Sequence, residues 1–340
     1  MSMRVLAPGL LTSFQDRGRR GQAANGVGTA GAMDPIALRI ANALVGNPDD
    51  AAALEITLRG PRLQVQRDCV LALAGADLDA RSGGEPLPNW RPLLVRGGSE
   101  IDTGIARAGA RAYLAVRGGF DIVPVLASRS TDVNAHLGPL GGRVLAGGDE
   151  LPIGTSGRDD FERMLGKLPP NSARRGAKGS IVAARWSVDP SPWFEPDPAV
   201  PVCVQRGRHF GQLDEHSQTA LFDSEFRIGV QSNRVGYRLE GPALALRTPL
   251  ELISEGVVPG TVQLPPGGQA IVLMAEAPTT GGYPRIAQVA EVDRSRLAQR
   301  KPGDRLRFVE ISLAEAQSRY LERERALRAL FQTIHEHLRH

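Results

Sequence analysis

Between residues 228 and 308, short apolar runs alternate with Gly, Pro, Ser and Thr at spacings that suit short strands and tight turns. That pattern confines the region to a compact β-barrel or sandwich. The runs 250–253 and 270–275 read as buried strands. Around them lie loops with binding chemistry: Ser232-Asn233-Arg234, Ser254-Glu255-Gly256, and Thr279-Thr280-Gly281-Gly282-Tyr283. Glycine lets a backbone approach a ligand closely, and arginine offers a planar fork to carboxylate or phosphate.

A chain of 340 residues with 41% apolar content is long enough for two domains, each with its own core. No stretch approaches the roughly 20 apolar residues of a membrane helix. The start, MSMRVLAPG, reads as a strand rather than a secretory leader, so a cytoplasmic location is expected. The only two cysteines, Cys69 and Cys203, sit in apolar runs and read as buried thiols. The six histidines show no metal spacing, so no metal site is expected. A net charge of +4 would suit nucleic acid, but the basic residues are dispersed among acids without interleaved aromatics. Neither nucleic acid nor membrane is an expected partner.

Asp34 to Gly46 is the clearest helix of the first half. Asp34 suits the N-cap, Pro35 the first turn and Gly46 the end, with Ile36, Ile40 and Leu44 along one face. Strands are expected over 54–58, 70–74, 92–95 and 112–116. Leu58-Arg59-Gly60-Pro61 returns as Leu239-Glu240-Gly241-Pro242, and the run ending at Gly75 matches that ending at Gly256 at the same offset, which suggests a duplicated β-domain. A Gly-, Ser-, Pro- and charge-rich stretch with Pro169-Pro170 reads as a connector, and the second domain enters near 199–204. Ser312 and Glu315 form a capping box ahead of Leu313, Ala316, Tyr320, Leu327, Phe331, Ile334 and Leu338 at helical spacing. That helix is expected to pack on its own chain or on a symmetry mate, with a partner helix as the lesser alternative.

Self-sufficient chemistry is hard to find. Gly176 to Ser180 lacks P-loop spacing, no GxSxG elbow occurs, and no lysine has a Met-Lys-Met context for biotin. The chain reads as half of a site.

The motifs quoted above, with LTSFQDRGRRG (11–21), GAMDPIALRIANALVGN (31–47), LEITLRGP (54–61) and SRSTDVNA followed by GG (128–142), closely resemble the KipA-like family over residues 3–310. The family includes the C-type chain of bacterial 5-oxoprolinase and one half of the carboxyltransferase region of urea carboxylases. The resemblance implies a mainly β chain: two tandem cyclophilin-like β-barrel domains with a few short helices and a C-terminal helix. The expected bounds are 1–154, a connector over 155–198, a second barrel over 199–310 and the helix over 311–340.

The resemblance also implies a C-type subunit of an ATP-dependent 5-oxoprolinase, inactive alone and sharing a site with a KipI-like B-type subunit beside a LamB/YcsF-like A-type subunit. ATP would be used by the assembled complex, and the substrate is a small molecule. Two alternatives stand. One is a biotin-dependent carboxyltransferase component acting on urea or another amide, with carboxybiotin as cofactor; the other is a regulatory binder that antagonises a kinase inhibitor.

Within that frame Arg234 and Glu255 are the catalytic candidates. Arg234 is either an anion clamp or a structural salt bridge; Glu255 is either a base at the end of a buried strand or a turn-capping acid. Asn233, Gln263, Thr279, Thr280, Gly281, Gly282 and Tyr283 are candidate substrate contacts, against the plainer roles of strand edge and hairpin turn. Asp34 joins them as an alternative to its capping role. Gln15, Asp16, Arg19, Arg129 and Asp132 either face the partner subunit or brace the first barrel. The chain departs from the family pattern at Gly207-Arg208-His209 and at Ala277-Pro278, which leaves the substrate open.

Overall fold

Residues 2–155 and 181–339 are described in a computed structural model. The expected connector falls largely on 156–180, outside the described residues. The chain divides into two compact units, one of Met1–Gly18, Asp34–Phe194 and Leu327–His340, the other of Arg19–Met33 and Glu195–Ala326. The fold is mainly β, with few helices besides the C-terminal one.

The first unit holds two six-stranded sheets. One runs in the order Glu150–Pro152, Ser2–Ala7, Arg62–Val65, Glu100–Asp102, Arg81–Ser82, Glu85–Pro86; the other runs Ile181–Ala183, Leu93–Val95, Cys69–Asp77, Ala108–Val116, Ala53–Thr57, Leu11–Gln15. Every pairing in both is antiparallel. Met3, Val5, Leu63 and Ile101 from the first sheet meet Leu54, Ile56, Leu73 and Leu114 from the second in one core. In the first sheet the alternation is clean, with Met3 and Val5 inward and Arg4 outward.

The strand Cys69–Asp77 is buried along both faces. Helix α1 (Pro35–Leu44) supplies the second cover. Gly75 shows how close the elements come: at φ 92° a Cβ there would lie 2.4 Å from Arg111 O. Ile181–Ala183 adds an edge strand to this sheet by pairing with Leu93–Val95.

The second unit is built on one eight-stranded sheet in the order Arg305–Leu306, Phe226–Ile228, Gly236–Glu240, Ile271–Leu273, Thr261–Gln263, Arg285–Val289, Val202–Arg206, Phe308–Glu310. The two outermost strands are consecutive in the chain, so residues 305–310 lie at both ends of the order and nearly close a barrel. Val204, Ile228, Leu239, Val262, Val272 and Ile286 fill its interior, each almost fully buried. Burying such a side chain is worth about 1.5–3 kcal/mol. Helices α2 (Glu215–Asp223) and α3 (Glu291–Ala298) flank the sheet; Asp214 caps α2 through Ser217 N at 2.6 Å.

The last helix, α4 (Leu313–Arg339), starts where Ser312 Oγ accepts from Glu315 N at 3.1 Å. Leu327 and Ile334 are fully buried and Ala316 nearly so, whereas Leu313 and Tyr320 are exposed. Within the first unit Phe331 lies under the Arg39 guanidinium and His337 stacks on Trp186.

Two expectations are corrected. Residues 250–253 form no strand, and Ile253 is 91% exposed. Gly75 and Gly256 are not equivalent either: the first lies inside a nine-residue buried strand, the second ends the two-residue strand Glu255–Gly256. Both errors come from reading apolar residues as burial where a loop of the second unit displays them outward.

Candidate functional site

The loops at one edge of the second barrel are tied together by a short ladder. Glu255 pairs with Gly281 and Gly256 with Thr280, joining the Ser-Glu-Gly and Thr-Thr-Gly-Gly segments. Next to them, Gln263 and Arg285 are opposed on neighbouring strands, at a register irregularity between Val262 and Gln263. A bulge of this sort re-aims side chains at a strand end.

Arg285 organises the group. Its guanidinium forms an ion pair with the Glu255 carboxylate and donates to Gly256 O at 3.1 Å. Its backbone N–H donates to His209 Nδ1 at 3.0 Å, and His209 N donates back to Arg285 O at 2.9 Å. Gly207 makes this possible, because a Cβ there would lie 2.4 Å from Arg285 O. Arg208 Nη1 reaches Glu255 Oε1 at 3.6 Å.

Burial, followed by the nearby Arg285 charge, holds the His209 imidazole below the ordinary histidine range. The ring is therefore neutral near pH 7. Since Nδ1 accepts, its proton sits on Nε2, which makes it a donor. With two arginines against one carboxylate, the group carries one net positive charge.

Gln263 is 4% exposed, and its amide Nε2 has no hydrogen-bond partner among the described residues. A Cβ on Gly281 would come within 2.5 Å of that nitrogen. The glycine thus leaves room beside a buried donor that lacks an acceptor. An unmet buried donor costs about 1–3 kcal/mol, which makes it a marker for a ligand oxygen or an ordered water.

The other candidates have different placements. Arg234 is 4% exposed, with Nε on Glu276 Oε1 at 2.6 Å and Nη2 on Gly31 O at 2.7 Å. Its observed geometry is that of a buried ion pair clasping three segments of the second unit. Asn233 Oδ1 accepts from Val235 N at 2.9 Å and so shapes its own turn. Thr279 O accepts from Val257 N; Thr280 and Tyr283 are exposed on the rim, and Gly282 is half-buried beside them.

In the first unit Asp34 caps α1, its Oδ1 accepting from Ile36 N and Ala37 N at 3.1 Å, with 1% exposure. Asp16 is a bracing hub. Oδ1 accepts from Gly18 N, Ser128 Oγ and Ser130 Oγ, and Oδ2 accepts from Arg129 N. Gln15 is wholly buried and donates to Ser13 Oγ and Thr131 O. Arg19, in the second unit, is 1% exposed. Gln15, Asp16 and Arg19 are thus all buried, which fits the bracing alternative of the two given for them. Arg129 Nε donates to Ile122 O, and Asp132 closes a turn by accepting from Ala135 N at 3.0 Å.

Sequence reading missed Arg285 altogether and treated Arg208 and His209 as departures rather than site members. The only signal for Arg285 was its position two residues beyond Tyr283.

Residues 25–310 match the family model of the carboxyltransferase domain, subdomains A and B, and the chain belongs to that family. It is 40% identical over 327 residues to the C-type chain of 5-oxoprolinase from Escherichia coli, covering 94% of this chain and 96% of that one. It is 34% identical to the corresponding 5-oxoprolinase chain of Haemophilus influenzae, covering 89% of each. Among solved structures, the K. lactis urea amidolyase matches with a TM-score of 0.76 at 29% identity, over 93% of this chain but 19% of that one.

Proposed function

We propose that this chain is the C-type subunit of an ATP-dependent 5-oxoprolinase. Similarity over nearly the full length of the E. coli chain supports the reading. The observation that carries it to a site is the buried, unsatisfied Gln263 amide within a group of one net positive charge. 5-Oxoproline presents one carboxylate and a lactam carbonyl, an anion and an acceptor that complement those two features.

In this reading Arg208, which is 70% exposed at its side chain, meets the substrate carboxylate, and Gln263 donates to the lactam oxygen. Glu255 and the main chain of Gly256 hold Arg285 in place. The neutral His209 adds an Nε2–H donor where negative charge develops. ATP supplies the phosphoryl group that turns the lactam oxygen into a leaving group. Water then adds to that carbon and the C–N bond breaks, the ring nitrogen leaving as the amine and the carbon remaining as an acyl phosphate. A second water hydrolyses that acyl phosphate, so that glutamate and phosphate are released beside the ADP formed in the first step.

The working arrangement is a KipI-like B-type subunit that shares the site and a LamB/YcsF-like A-type subunit that completes a cytoplasmic complex, with the tandem domains spanning 1–154 and 199–310. Thr279, Thr280 and Tyr283 form the rim in this scheme, while Asn233 and Arg234 act by shaping the neighbouring loop. Likeness to the urea amidolyase fold favours a second reading, carboxyl transfer to a small amide. The deciding experiment measures glutamate formation from 5-oxoproline and ATP with the three subunits together and with this chain left out. Activity that requires this chain, and falls at least ~100-fold in Arg285→Ala, is expected. No turnover from a well-formed, ATP-competent complex would sink the reading and bring carboxyl transfer forward.

A further inference from the structure

The first unit contains a cleft of about 680 Å³ that plays no part in the chemistry above. It is lined by residues 7–9, 59–60 and 104–106, and its charged lining residues are Arg59, Arg62, Arg81 and Arg107 with Asp79 and Asp102. The glycines let these strands close up: a Cβ on Gly9 would lie 2.5 Å from Arg59 O.

The charges are not spread evenly. Asp79 fixes two guanidiniums at once, with Arg81 Nη2 at 3.1 Å from Oδ1 and Arg107 Nη2 at 2.5 Å from Oδ2. Asp102 Oδ1 is engaged by Gly104 N at 2.9 Å. Arg62 reaches Glu100 at 3.1 Å. Arg59 is exposed, and its side chain makes no hydrogen bond or ion pair with any described residue. Asp79 itself adopts a left-handed φ of 53°, an uncommon conformation for a residue other than glycine, which its own N–H to Asp77 Oδ1 helps to hold.

Four arginines against the two lining acids and Glu100, the partner of Arg62, leave one net positive charge, with the donors of Arg81 and Arg107 held in place by one carboxylate. Guanidinium forks pair well with the oxygens of phosphate. The cleft is larger than a bare oxyanion needs and falls within the usual range for small-molecule sites, and Ile105, 55% exposed, adds an apolar surface.

We propose that this cleft binds a dianionic phosphate group, carried by a compact small molecule or free in solution, with Arg59 and Arg62 as the responsive donors and Arg81 and Arg107 as the fixed ones. The site is independent of the assigned reaction and stands whether or not that reading holds.

The test is calorimetric titration of the full-length protein in 0.15 M salt with inorganic phosphate, ADP and glutamate as probes. Arg59→Ala, Arg62→Ala and, as a control in the other unit, Arg285→Ala are compared with the unaltered chain. Phosphate or ADP should bind, and Arg59→Ala should weaken by roughly tenfold or more a binding component that Arg285→Ala retains; glutamate should occupy that component at least ~10-fold more weakly. Binding of ADP more tightly than phosphate assigns a phosphate ester, and equal binding assigns the free ion; both sustain the proposal. It is overturned if neither phosphate probe binds, if Arg59→Ala and Arg62→Ala bind as the unaltered chain does, or if the component that Arg59→Ala weakens takes glutamate as tightly as phosphate. Arg59 and Arg62 project from the surface, and matching circular dichroism checks that their variants fold.

Discussion

The Asp16 hub of the first unit and the Arg285 group of the second are both dense in polar residues, yet they differ in what they leave unspent. Asp16 accepts four hydrogen bonds from its own fold. Around Arg285 the charges are paired, but the buried Gln263 amide still lacks an acceptor. Beside Asp16 the buried atoms left over are the Gln15 amide oxygen and the Thr131 hydroxyl, whereas beside Arg285 the leftover is an amide N–H donor, which invites an outside oxygen. The same contrast holds inside the second unit, where Arg234 and Glu276 sit in a closed pair.

The largest effect should come from breaking that closed pair on one side. Glu276→Leu leaves the Arg234 charge buried beside an apolar residue and should cost about 3–5 kcal/mol. Adding Arg234→Met should restore most of the stability in urea unfolding. A double variant as unstable as the single one would show that the pair is more than a structural clasp.

Next comes Asp16→Ala, which strands several buried donors and should cost roughly 3 kcal/mol. Loss of assembly without loss of thermal stability would instead return Asp16 to a partner-facing role. Gln263→Leu sharpens the contrast from the opposite side. Replacing an unsatisfied buried amide should leave stability unchanged or raise it by about 1 kcal/mol, while lowering turnover of the assembled complex. A large fall in stability would mean that the amide is satisfied after all.

Smaller still is Glu255→Gln, a partly exposed pair whose loss should cost less than about 1 kcal/mol in the chain alone. The pH dependence gives the finest test. The folded-state pKa of His209 is depressed, so its contribution is fully present above the ordinary histidine range near ~6.5 and is lost as pH falls through the lower folded value. His209→Gln should flatten that acid-side decline in melting temperature, and an unchanged slope would remove His209 as its source.

Much of the framework was legible because local rules and tertiary burial agree there. Asp34, Pro35 and the Ile36, Ile40, Leu44 face define α1, and Ser312 opens α4 where expected. The site was legible only in part. Gly281 and Glu255 stood out as loop residues, but their pairing is a property of strand register, and the opposition of Gln263 to Arg285 depends on a bulge that no spacing announces. Residues 250–253 misled because apolar composition records a preference for burial, while the chain path there carries Ile253 outward. Asp16 stayed ambiguous for the opposite reason, since a charged residue in a loop looks like surface until its four donors are counted.

The segment 305–310 closes the second barrel from both sides, and that fixes when the barrel can form. During synthesis the strands from 202 to 289 emerge first and remain an open sheet with two unpaired edges. Such edges are templates for other nascent chains. One short stretch near the end of the barrel sequence then covers both at once, by a parallel pairing with Val202–Arg206 and an antiparallel one with Phe226–Ile228. A stop codon just ahead of Arg305 would therefore do more than shorten the chain: it would leave a sticky sheet in place of a barrel, and such a product should be found in the insoluble fraction.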